Sequence, residues 1–148
     1  MKEALLIIDL QKGFGPSEEM VAGFLERAKE YDIIVATKFV NGNPLYQTAL
    51  DYPKLSEEEI ELARLPEGTK VFEKSGYGLP VELIQYLKDN TVSKVDVGGL
   101  ETDACVLAAL YDLWDAEIQP ALLKDLTSTP DQDMYNAVSL IAKRNFGT

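Results

Sequence analysis

Apolar residues in this chain fall into two patterns. Short continuous runs alternate with stretches in which apolar positions recur every three or four residues, as expected for strands covered on both faces alternating with amphipathic helices. Residues 4–8 and 33–36 are uninterrupted aliphatic runs of strand length. Between them Met20, Val21, Phe24, Leu25 and Ala28 keep helical spacing, with Ser17 as N-cap and acids in the first turn, so 17–30 is expected as helix. Together they make a βαβ unit. A third, shorter strand is expected over 70–73, followed by a Gly-rich turn and a helix opening at Leu79-Pro80, where proline suits the first turn. The pattern then predicts a strand over 94–97, a helix over 102–115 with Thr102 as N-cap, and a strand over 118–123. A last helix is expected over 130–144, with Met134, Val138 and Ile141 on its apolar face. The alternation predicts a three-layer α/β/α fold with a mainly parallel sheet.

Residues 41–68 break the rhythm, with prolines after an asparagine and a tyrosine, one short helix expected over 56–63 and too few aliphatics for a strand. An excursion of this length after a strand marks a pocket wall or lid more often than a neutral linker.

At 148 residues the chain has the length of one domain, here 1–148. Its 14 basic and 25 acidic residues give a net charge of −11, a field that repels phosphate backbones and anionic lipid and argues against nucleic acid or membrane as partner. The apolar start ends in an acid with no small-residue cleavage site, so it reads as a buried strand and not a signal peptide, and a cytoplasmic location is expected. One cysteine rules out an intramolecular disulfide and suits a reducing compartment. Histidine is absent, which removes Ser-His-Asp and Cys-His catalysis and histidine-bound zinc. Chemistry must run on Asp, Glu, Lys, Cys, Tyr and backbone amides.

Parallel sheets bind ligands beyond the carboxyl ends of their strands. Asp9 ends the first strand, Lys74 stands at the end of the third before Ser75-Gly76-Tyr77-Gly78, and Cys105 follows the fourth in Gly98-Gly99-Leu100-Glu101-Thr102-Asp103-Ala104-Cys105-Val106. With Thr102 as cap, Cys105 falls in the first helical turn, where the dipole favours thiolate by about one pKa unit. Each residue also has a plain reading: Asp9 as the cap of a turn through Gln11 to Gly13, Lys74 as a solvated lysine, Cys105 as a small buried hydrophobe.

The blocks LLIIDLQKGF, VFEKSGYG and VGGLETDACV resemble, in order and spacing, the three signature segments of the isochorismatase-like cysteine hydrolases, a family that includes nicotinamidases and N-carbamoyl amidohydrolases. The resemblance implies a sheet of order 3-2-1-4-5, without the family's sixth strand. It implies a triad of Asp9 as proton acceptor, Lys74 as its electrostatic partner and Cys105 as nucleophile. The backbone N–H groups of Glu101 and Cys105 would form the oxyanion hole, after a cis Leu100-Glu101 peptide. Phe14, Phe39, Tyr77 and Leu100 are candidate pocket walls that serve equally as core. Nicotinamidases bind a metal through an Asp-x-His pair and a further histidine; here the matching region reads Thr37-Lys38-Phe39-Val40-Asn41-Gly42, so no metal site and no cofactor is expected.

The resulting expectation is hydrolysis of an amide or related C–N bond in a small-molecule substrate through an acyl-enzyme. Two other readings stay open: an idle scaffold associating through Tyr111, Leu113 and Trp114, and a thiol redox sensor using Cys105. Homo-oligomers are common in the family, although the charge of this chain opposes association unless the contact faces are apolar.

Overall fold

A computed structural model describes residues 2–148. The aliphatic runs form one five-stranded parallel sheet of order β3-β2-β1-β4-β5. In chain order the elements are β1 (Lys2–Ile8), α1 (Glu18–Arg27), β2 (Ile33–Phe39), α2 (Leu45–Thr48), α3 (Glu57–Ile60), β3 (Lys70–Lys74), α4 (Val81–Asp89), β4 (Val92–Leu100), α5 (Leu107–Asp115), β5 (Gln119–Ser128) and α6 (Gln132–Phe146). A turn of π-helix, Thr102–Val106, joins β4 to α5.

The central strand shows why both faces had to be apolar. Ala4, Leu6 and Ile8 of β1 pack into a core with Leu83 and Leu87 of α4, Leu110 and Leu113 of α5, and Val138, Ala142 and Phe146 of α6. Leu5 and Ile7 point the other way, onto Met20 and Phe24 of α1. At roughly 1.5–3 kcal/mol per fully buried aliphatic side chain, these two faces are the main stabilising term of the fold.

Several boundaries differ from the sequence reading. The Ser17 side chain caps α1 by accepting the Met20 amide, as expected, but the last turn, Ala28–Glu30, tightens to a 3₁₀-helix. Pro80 occupies the N-cap of α4, with extended backbone, instead of its first turn. Both β4 and β5 run longer than their aliphatic cores, because polar residues continue the ladder: Gly99 pairs with Thr127 and Leu100 with Ser128 after a bulge. In α6 the buried face is Val138, Ala142 and Phe146, whereas Met134 faces solvent; Asp131 caps the helix, so it starts later than its proline suggested. The 41–68 excursion holds two one-turn helices, α2 and α3, the second closed by a reciprocal Ser56–Glu59 capping box. Leu113 is fully buried and offers nothing to an external partner, while Tyr111 and Trp114 are exposed beside Phe146. Among the described residues no helix is long and apolar enough to cross a membrane.

Candidate functional site

The connections after the neighbouring strands β1 and β4 leave toward opposite edges of the sheet, which opens a crevice at their carboxyl ends. Asp9 stands at that point, fully buried, its backbone in the left-handed region at φ 48°. Non-glycine residues pay for this conformation, and such outliers concentrate where structure serves function. Thr37, on the neighbouring β2, stabilises it twice: its hydroxyl donates to Asp9 Oδ1 at 2.7 Å and accepts the Asp9 amide at 3.1 Å. The other carboxylate oxygen, Oδ2, is buried without a hydrogen-bond partner, 3.3 Å from Lys74 Nζ.

Lys74 reaches Asp9 across the end of β2. Register places Lys74 beside Phe39, so the long side chain passes over one strand to the next. Its ammonium donates to the carbonyls of Gly76 and Tyr77 at 3.1 and 3.0 Å, and the Ser75–Gly78 turn thus folds back on it. Asp112 of α5 holds the far side of that turn by accepting the Leu79 amide at 2.7 Å. Lys74 is therefore a buried, fully engaged cation and not the solvated lysine of the plain reading.

Cys105 sits in the π-helical turn beside this pair, with 9% of its surface exposed. The chain arrives there through a cis Leu100-Glu101 peptide. The expected capping is corrected: Glu101 is the N-cap, without a side-chain bond, and Thr102 is fully buried with its hydroxyl 2.7 Å from that of Thr127. The reason is the unexpected length of β5, which carries Thr127 alongside, where it also donates to the Gly99 carbonyl. The electrostatics differ from expectation as well. Burial first, and the Asp9 charge second, push the Cys105 thiol up to about 12, against the opposing influence of Lys74. Desolvation outweighs the dipole of the turn, so the resting group is a thiol.

These groups open onto a cavity of about 710 Å³ lined by Asp9, Glu101 and Cys105 together with Phe14, Phe39, Tyr77 and Leu100. Lys74 lies behind Asp9 and is not part of the lining. The excursion supplies the opposite wall: Asn41, Tyr46, Tyr52, Leu55 and Glu59. Phe14, Phe39, Tyr46 and Tyr77 form an edge-to-face series with centroids 6.1, 5.3 and 5.2 Å apart.

Sequence reasoning missed Thr37, Tyr46 and Gln11. Gln11 is fully buried and binds the Phe39 backbone through both ends of its amide while donating to Ile60 O at 2.8 Å, which ties β1, β2 and the excursion together. Its position two residues after Asp9 was the only available signal. The Tyr46 hydroxyl is buried and unpartnered. Burial and then the proximity of Cys105 and other ionisable groups hold its phenol well above the usual range.

Solved structures share this architecture. A nicotinamidase from Bacillus subtilis superposes with a TM-score of 0.85 at 18% identity, covering 100% of this chain and 98% of that one. The pyrazinamidase of Pyrococcus horikoshii, solved in complex with zinc, gives 0.86 at 20% identity, covering 99% and 97%. The N-carbamoylsarcosine amidase of Thermoplasma acidophilum gives 0.79 at 18%, covering 99% and 94%. At such identities the likeness establishes the fold. A zinc site does not fit here: the chain has no histidine, and among the described residues no three His, Cys, Asp or Glu side chains are grouped to hold a metal. Asn41, on the cavity wall, is engaged on both sides of its amide by the Leu55 backbone. No curated protein matches the sequence. The isochorismatase domain family matches residues 3–148, and the chain belongs to that family of hydrolases.

Proposed function

We propose that the protein is a cysteine hydrolase that cleaves an amide or related C–N bond of a small metabolite, with Asp9, Lys74 and Cys105 as its triad. The observation that carries this is the meeting of the chain's only thiol with a buried carboxylate and a buried ammonium at one cavity. A burial cost of several kcal/mol per ion makes such a pair poor value for stability alone.

The raised thiol sets the order of events. A resting thiol attacks only as it loses its proton, so transfer from Sγ to Asp9 accompanies formation of the S–C bond. The oxygen of the tetrahedral adduct takes the developing charge, and the backbone N–H groups of Glu101 and Cys105, both residues of the cavity wall, are assigned to stabilise it. Asp9 passes its proton to the leaving nitrogen as the C–N bond breaks, which leaves a thioester on Cys105. Water then attacks, gives a proton to Asp9, and the acid product departs as that proton returns to sulfur. Lys74 stays charged throughout and offsets the carboxylate. No step runs through a metal, for which the described residues offer no group of three His, Cys, Asp or Glu side chains.

A peroxide sensor works through a thiol of lowered pKa, whereas burial pushes that of Cys105 up. The hydrolase reading is tested by incubating the wild type with a panel of amides and ureido compounds, following ammonia or amine release, and trapping the acyl group on Cys105 by mass spectrometry. Turnover with an adduct on Cys105, abolished in Cys105→Ala, is expected. No release from any compound and no adduct overturns it.

A further inference from the structure

We propose that the cavity selects an amide substrate carrying a positive charge away from its scissile bond and turns away carboxylates of the same shape. The inference deepens, and rests on, the amide-hydrolase reading.

Four acids line the cavity, Asp9, Glu59, Glu101 and Asp103, and no lysine or arginine does. Two of the nearby cations are committed elsewhere. Lys74 is spent on Asp9 and two carbonyls, and Lys12 pairs with Glu61 outside. The aromatic wall adds to the sign, since the edge-to-face series from Phe14 to Tyr77 offers ring faces whose quadrupoles attract cations. The Tyr46 hydroxyl at the wall is buried without a hydrogen-bond partner and can accept from a donor-rich ligand.

Asp103 is felt by two groups of the wall. Glu101 is held above its usual range by burial and then by Asp103. Tyr77 is raised by burial first, with Asp103 among the further causes. The positive end of the Thr102–Val106 turn opposes this charge, and the mechanism reserves its amides for the carbonyl oxygen. The rest of the substrate meets acids and aromatic rings. A net charge of −11 adds long-range attraction for cations.

The cation 4-(aminomethyl)benzamide, neutral 4-ethylbenzamide and the anion 4-carbamoylbenzoate share the amide and differ in the charge carried away from it. Calorimetry on Cys105→Ala measures their binding without turnover, and protection of wild-type Cys105 from iodoacetamide locates it. The expected order is the cation tighter than the neutral amide by about tenfold, with the anion weakest. In Glu59→Gln/Asp103→Asn the advantage should shrink to about threefold, and salt should shrink it too. Glutamine at 59 keeps the bond to the Ser56 amide, so α3 keeps its cap. Equal affinities, the anion binding tightest, or no binding by any of the three overturns the proposal. If the wild type hydrolyses amides and the charge order is absent, this inference alone fails; if the order holds and no amide is hydrolysed, the hydrolase reading fails and the charge selection stands.

Discussion

The two walls of the cavity are built on opposite principles. One wall, the ends of β1 and β4 with the turn to Cys105, is buried, and its backbone is fixed by sheet pairing on both sides. The other, the 41–68 excursion, is largely exposed and held by a few side-chain clamps: Gln11 to Ile60, Asn41 to Leu55, Ser56 to Glu59. The first wall carries the sulfur and the carboxylate, whose spacing has to be kept to fractions of an ångström. The second carries Tyr46, Tyr52 and Leu55, whose positions decide what fits. The proposed function thus puts chemistry on the rigid scaffold and selection on the adaptable segment.

The sharpest way to break this division is to place one methyl group on each wall. At Gly99, φ is 115° and a Cβ would lie 2.2 Å from the Ile8 carbonyl oxygen, an overlap that backbone on both sides prevents from relaxing. Gly99→Ala is expected to give no soluble folded protein, read by expression and circular dichroism. At Gly68 the φ is also positive, 83°, but nothing lies within 4 Å. Gly68→Ala should cost only about 1 kcal/mol, for the left-handed conformation itself. A folded Gly99→Ala protein of near-normal melting temperature would mean that the first wall is not rigid.

Asp9→Asn tests the chemistry proposed for the rigid wall. It removes the proposed proton acceptor, and turnover should fall by roughly 10²–10⁴. It also leaves the buried Lys74 ammonium with only its two carbonyl partners, so the melting temperature should fall as well. The same change should make the resting thiol more reactive. The Asp9 charge is the second cause of the raised Cys105 pKa, after burial, so its removal lowers that pKa and raises the thiolate fraction at any pH below it. Iodoacetamide labelling at pH 8 should therefore quicken in a variant that has lost activity. In the wild type, labelling should climb by about tenfold per pH unit from 7 to 10 without a plateau, because the thiol titrates near 12. A plateau below pH 9 would contradict the desolvated thiol.

Lys74→Met tests the buried pair as a pair. With side chains only 3% and 1% exposed, Lys74 and Asp9 leave no water to replace a lost partner, and the variant should lose about 3–5 kcal/mol in urea unfolding. Asp9→Asn/Lys74→Met, which removes both charges, should be more stable than Lys74→Met alone. Additive losses would show that the two groups act independently.

The same contrast explains what could be read from the sequence. The sheet order came from a resemblance, but its strands were legible because residues such as Leu5, Leu6, Ile7 and Ile8 are buried on both faces, and that requirement leaves an uninterrupted aliphatic run. Asp9 stood out because it ends such a run, whereas Lys74 and Cys105, placed after less regular stretches, took their roles from the resemblance. The turn at Thr102 was misread because its hydroxyl had an equally good partner, Thr127, twenty-five positions away on a strand whose polar end carries no aliphatic signature. The lowered thiol pKa expected for Cys105 failed for a related reason. Helix position can be read locally, whereas desolvation depends on everything packed around the group. Tyr46 was invisible because its place in the cavity depends on how the excursion folds back, which no periodicity records.

The smallest effect is expected where the adaptable wall is loosened. Asn41 accepts the Leu55 amide at 3.0 Å and donates to the Leu55 carbonyl at 2.7 Å, a two-way clamp that closes the loop carrying Tyr46 and Tyr52. Alanine at 41 removes both bonds at a half-buried site, so the loss of stability should stay near 1–2 kcal/mol. The catalytic groups are not touched, because Asp9 is held by Thr37 and Lys74, and Cys105 by its own turn. What changes is the entropy of ordering the excursion around a ligand, a cost that binding would then have to meet. Steady-state kinetics should accordingly show KM raised several-fold with kcat nearly unchanged. A fall in kcat as large as that of Asp9→Asn would show that the excursion helps to hold the reacting atoms, and the two walls would have to be treated as one machine.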